Sequence, residues 1–70
     1  MKTFVNIKKV NGENVITKDF GNKGFKGIAY AFTWLEQEGF ELVEGSLKHL
    51  PTYRKEGKDG NYFIAIIIKH

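Results

Sequence analysis

Apolar and polar positions alternate most plainly near the two ends of the chain. From Phe4 to Val10, Val5 and Ile7 fall on one side and Asn6 and Lys8 on the other, the period of two that marks a half-buried strand. Asn11-Gly12 follows, a strong hairpin signal because both residues tolerate positive φ. Glu13 to Phe20 then reads as the returning strand, through Val15, Ile16 and Thr17. A two-residue turn sets Ile7 opposite Ile16, and a bulged turn shifts that register by one residue; the sequence leaves both open.

Gly21 to Gly27 is too rich in glycine for the interior of a strand or helix and is expected to form the entry to the helix. Ile28 to Glu38 has helical periodicity, with Ile28, Ala31, Phe32 and Leu35 on one face. Gly39 suits the left-handed position that ends a helix. Phe40 to Leu47 reads as a third strand. Lys48 to Asn61, with Pro51 and the run Glu56-Gly57-Lys58-Asp59-Gly60, reads as a long hairpin loop into which the third strand can extend as far as Thr52 and Tyr53. Tyr62 to Lys69 is the last strand and is apolar on both faces: Ile64, Ile66 and Ile68 point one way, Phe63, Ala65 and Ile67 the other. Such a strand is central in its sheet or has one face covered by a partner. The expected fold is α+β, in the order ββαββ, with a mostly antiparallel sheet of about four strands and one helix packed on one face. One short helix cannot cover both faces, so a second copy of the chain is expected as the lid, making a homo-oligomer, in the simplest case a dimer.

The stretch from Trp34 to Val43, in which a helix ends in Leu35-Glu36-Gln37-Glu38-Gly39 and runs into Phe40-Glu41-Leu42-Val43, resembles small bacterial and phage β-α-β-β families of unknown function. Gly60 to Ile66 is similar to their closing strand. The resemblance implies the fold and no particular activity. The cysteine-free chain from Met1 to His70 also looks like the small accessory proteins of phages.

Composition adjusts this picture only a little. Seventy residues, 41% hydrophobic and 14% aromatic, fit one packed domain spanning 1–70. A chain of this size buries only about 60% of its unfolded surface, a further reason to expect association. No apolar run approaches the roughly 18 residues that cross a bilayer, and Met1 to Asn6 turns polar too soon for a signal peptide, so a cytoplasmic protein without membrane contact is expected. The net charge of +3 permits contact with nucleic acid without requiring it.

Catalytic chemistry finds little to work with. Ser46 is the single serine and has no base near it in sequence. Glu36 and Glu38 lie about 200° apart on a helix, and His49 and His70 have no ligand-like spacing to carboxylates or to each other. The expectation is a protein that is no enzyme and uses no metal or cofactor. Three features suit binding. Gly21 to Gly27 offers Lys23, Gly24, Lys26 and Gly27 as an anion site at a helix start, for the phosphate of a nucleotide or nucleic acid; the plainer reading is a flexible strand-to-helix turn. Tyr30 and Trp34 lie one turn apart outside the core stripe, as in a protein interface; they can equally flank the core. The segment His49 to Lys58 carries Tyr53 and Arg54, the one arginine, in an exposed connection; a solvated hairpin tip is the simpler account. The leading functional expectation is a small non-enzymatic interaction protein, such as a phage inhibitor of host defence, contacting a larger partner through Tyr30, Trp34, Tyr53 and Arg54. The alternative is a binder of phosphate-bearing ligands through the glycine- and lysine-rich helix entry.

Overall fold

The computed structural model describes residues 2–43 and 52–69. Its elements are β1 (Thr3–Val10), β2 (Ile16–Phe25), α1 (Ile28–Gln37), β3 (Glu41–Leu42), β4 (Thr52–Glu56) and β5 (Tyr62–Lys69). The strands form one sheet in the order β2-β1-β5-β4-β3, with antiparallel neighbours throughout. The fold is therefore α+β with one helix on an antiparallel sheet, of five strands where the sequence suggested about four. β5 is the central strand, as its two apolar faces require.

The core is small and lies where the helix crosses the sheet. Ala31 and Leu35 of α1 are fully buried with Val5, Ala65 and Ile67, while Phe40 and Tyr53 close its sides. Ile28 and Phe32, on the same helical face, are partly buried against this cluster. The helix gains little from its own ends. Its N-cap, Gly27, offers no side-chain cap, and there are no acidic residues in the first turn and no basic ones in the last. At about 1.5 Å per residue it is only some 15 Å long, too short to persist without packing. Gly39, at φ 89°, stops it as its sequence position foretold. No helix of the described residues is long and apolar enough to cross a membrane.

Four details differ from the sequence expectation. The first turn is longer than two residues. Asn11 N–H donates to the Val15 carbonyl (3.1 Å), and the Asn11 side-chain oxygen accepts from the N–H groups of Glu13 (2.9 Å) and Val15 (3.1 Å). Asn14, at φ 63°, takes the left-handed position, so Asn11 opens the turn instead of occupying its centre. Val10, and not Ile7, then faces Ile16.

Second, β2 does not end at Phe20 but runs on through Gly21–Phe25, pairing Lys23 with Val5 and Gly24 with Phe4. It does so by means of a bulge: the register passes from Asn6↔Asn22 to Lys8↔Asp19, and Gly21 absorbs the distortion at φ 80°. The Asp19 carboxylate accepts from Gly21 N–H (2.8 Å) and from the Asn6 amide (3.2 Å). The Gly21 bond above all holds the Asp19 pKa below the usual value against the opposing effect of desolvation, with lesser help from the Asn6 amide and the charge of Lys8.

Third, the segment expected as a loop contains β4. Thr52–Glu56 pairs with β5 on one side, and Arg54 and Tyr53 pair with Glu41 and Leu42 of β3 on the other. The β4–β5 connection is a tight turn, with Asp59 and Gly60 both at positive φ and Asn61 N–H bonded to the Lys58 carbonyl. Fourth, β3 is Glu41–Leu42, shorter than the Phe40 to Leu47 strand expected. Glu44 to Leu47 of that strand, and Lys48 to Pro51 of the expected loop, lie outside the described residues.

Leu35→Ala removes a fully buried side chain from the one helix–sheet contact and should cost about 2–5 kcal/mol. Val15→Ala, at a half-exposed turn position, should stay within about 0.5 kcal/mol of the parent. Urea unfolding followed by circular dichroism measures both; equal midpoints for the two variants would show that the helix does not seat on this core.

Candidate functional site

The sheet has two unequal sides. Cross-strand register puts Phe4, Asn6 and Lys8 of β1 beside Ile68, Ile66 and Ile64 of β5 on the face away from the helix. Arg54 and Glu56 of β4 share that face, next to Ile64 and Tyr62. Its centre is an apolar stripe of Ile64, Ile66 and Ile68, with Ile66 36% exposed and none of the described helix on this side. Charges of both signs border the stripe. Lys8 sits opposite Asp19, and Arg54 pairs with Glu56 (2.9 Å) while stacking on the Tyr62 ring at 4.0 Å. The Tyr62 hydroxyl donates to the side-chain oxygen of Asn14, tying the first hairpin turn to β5.

On the other side the helix covers only the part of the sheet near Val5 and Ile67. Beyond its C-terminal end a groove of about 240 Å³ stays open between Trp34 and Glu38 of the helix and Ile7, Phe20, Phe63 and Lys55 of the sheet. Phe20 and Phe63 form its floor with ring centroids 6.0 Å apart. Pairing of Lys18 with Lys9, Lys9 with Phe63 and Phe63 with Lys55 lays these four residues in a row across four strands.

The residues singled out from sequence do not gather at one place. Tyr30 is 63% exposed on the outer surface of the helix. Trp34, one turn on, is half-buried beside Phe25 (5.5 Å) with the Lys23 ammonium 4.5 Å from its ring centre. Arg54 is on the far face of the sheet. Tyr53 corrects the interface expectation: it is a core residue, 6% exposed and packed on Phe32, because β4 turns it toward the helix. The expected anion loop is also rearranged. Lys23 and Gly24 belong to β2, on opposite sides of the strand, and Gly24 lies against the Phe4 ring. Only Lys26 and Gly27 remain at the helix entry. His49 lies outside the described residues. Among the described residues no three or more His, Asp or Glu side chains come together as metal ligands.

The pattern missed from sequence is the row of Lys9, Lys18 and Lys55 with Phe20 and Phe63. Each of its members looked like an ordinary surface lysine or strand aromatic until the strand register brought them together. Comparison with protein families, with curated proteins and with solved structures finds no match for this chain.

Burial, and to a lesser degree the charge of Glu36, raises the pKa of the Tyr53 phenol above 10.0. The folded state thus holds this proton more tightly than the unfolded chain does. The corresponding stability is complete below the unfolded value of about 10 and is lost as pH rises through the folded one. Ultraviolet titration should show a late phenolate component that Tyr53→Phe abolishes; a Tyr53 midpoint at or below 10.0 would contradict its placement in the core.

Proposed function

We propose that this protein is a non-enzymatic interaction protein that acts as a pair of copies joined through their bare sheet faces, and that it modulates a larger protein through the helix side turned outward. The observation that carries this reading is the apolar stripe of Ile64, Ile66 and Ile68 on the far face of the central strand β5, with Ile66 exposed at its middle. Apolar side chains on the middle of a sheet gain roughly 25 cal/mol for each Å² taken out of water, and this chain has no second helix among its described elements to cover them.

A second copy suits the stripe better than a strongly charged partner would. In a two-fold contact each patch meets itself, so a face of one sign would repel its own image. Here the same face carries Lys8 and Arg54 together with Asp19, Glu41 and Glu56, so charges of both signs lie within reach of a rotated copy. The size is also sufficient. β1 and β5 run eight residues each, about 26 Å at 3.3 Å per residue, and with β2 and the shorter β4 beside them at about 4.8 Å spacing they give a face roughly 15 Å wide, at the low end for a specific interface. Face-to-face packing of this kind leaves both helices outermost, with Tyr30 exposed for a partner protein and Trp34 beside it. A small inhibitor or modulator, acting by occupying a surface of its target, fits such an arrangement.

Sedimentation velocity should give a species of twice the 8.0 kDa chain mass. Ile66→Glu should convert it to a monomer with an unchanged circular dichroism spectrum, because Ile66 already contacts water in the single subunit. A parent protein that stays monomeric at high micromolar concentration would remove the pairing.

A further inference from the structure

The groove beyond the end of the helix combines two features that a solvated surface has no reason to join. One is an exposed aromatic floor: Phe20 is 50% exposed and lies beside Phe63, while Trp34 forms a wall. The other is concentrated positive charge. Lys9 and Lys18 face each other directly across β1 and β2, an unfavourable like-charge pair. Lys55 lies on the same row beyond Phe63, two strand spacings or about 10 Å from Lys9. None of these lysines makes an ion pair with a described carboxylate, and among the described residues Glu38, at the end of the helix, is the one acidic side chain lining the groove. The Lys18 ammonium rests 4.9 Å from the Phe20 ring centre, and that of Lys55 5.8 Å from Phe40, so the cations border aromatic rings instead of acidic partners.

We infer that this groove binds single-stranded nucleic acid, with a base lying on Phe20 and Phe63 and adjoining phosphates meeting Lys9, Lys18 and Lys55. Flat π faces and flexible ammonium groups along one track are what an unpaired strand needs. Bases stack on the rings whatever their identity, and the phosphates supply the negative charge that the row lacks. A duplex would hide its base faces and leave the aromatic floor unused. An acidic peptide would meet the lysines but gain nothing from the exposed aromatic floor. The opposite face of the sheet cannot serve in the same way, because Asp19, Glu41 and Glu56 lie there. The site is distinct from the sheet face proposed for pairing and from the glycine-rich helix entry.

Trp34 lines the groove, so its fluorescence reports occupancy. The full chain is titrated with single-stranded DNA and RNA of about ten nucleotides, the length a small single-strand binding surface spans. Saturable binding at low salt is expected, weakening with a log–log slope of about −0.7 for each phosphate contacted. Phe20→Ala should weaken binding roughly five- to a hundredfold, the loss of one stacked base, with the salt slope unchanged. Lys18→Gln with Lys55→Gln, two exposed positions where folding is not at stake, should make the slope shallower by about 1.4. Ile66→Glu, on the other face, should leave affinity per subunit intact, which separates this site from the pairing proposal. Absence of binding at low salt, equal affinity in Phe20→Ala, or equally tight binding of a polyglutamate peptide would each overturn the inference.

Discussion

The whole molecule depends on the seating of one short helix. Ala31 and Leu35 press on Val5, Ala65 and Ile67, and the helix has no side-chain N-cap, its one end-stop being the backbone bonds of Gly39 and Phe40 at the C-terminus. Lys26 precedes its N-terminus and Glu36 and Glu38 stand at its C-terminus, the reverse of what the helix dipole favours. The sheet is equally dependent, since this is the cluster that anchors the middle of β1 and β5. A domain of this size has little stability to spare, and here most of it passes through a few side chains.

From the same contact comes the molecule's unfinished surface. A helix of about 15 Å cannot span strands of about 27 Å, and it cannot lie on two sides at once. Two areas are left bare, and they differ in chemistry. The far face is apolar with charges of both signs, whereas the distal half of the helix side is aromatic with unbalanced lysines. The modest excess of positive charge in the composition is thus not spread evenly. It is concentrated on one side by strand register.

How far the sequence could be read follows the same logic. Strands β1 and β5 were legible because their alternation is strong and the central position of β5 makes both of its faces apolar. The helix was legible from Ile28, Ala31, Phe32 and Leu35, and its end from Gly39. Gly21 misled because it carries a bulge at positive φ inside a strand, where the usual rule about glycine reverses, and Gly24 lies within the same strand. β4 was hidden by Pro51 before it and by Arg54, Lys55 and Glu56 within it. Its charges are tolerated because a strand near the sheet margin keeps them at the solvent. The aromatic and basic groove was not legible at all: its residues come from β1, β2, β4, β5 and the helix, and only the bulges at Gly21 and near Val10 put Lys18 opposite Lys9.

The kink at Gly21 also bears on one margin of the sheet. β2 is one of its two edge strands and is almost wholly exposed, so a straight version of it would offer a ready template for another chain's edge. By bending that margin and tying it down through Asp19, the chain makes it a poor seed for the strand-by-strand addition that grows into fibres.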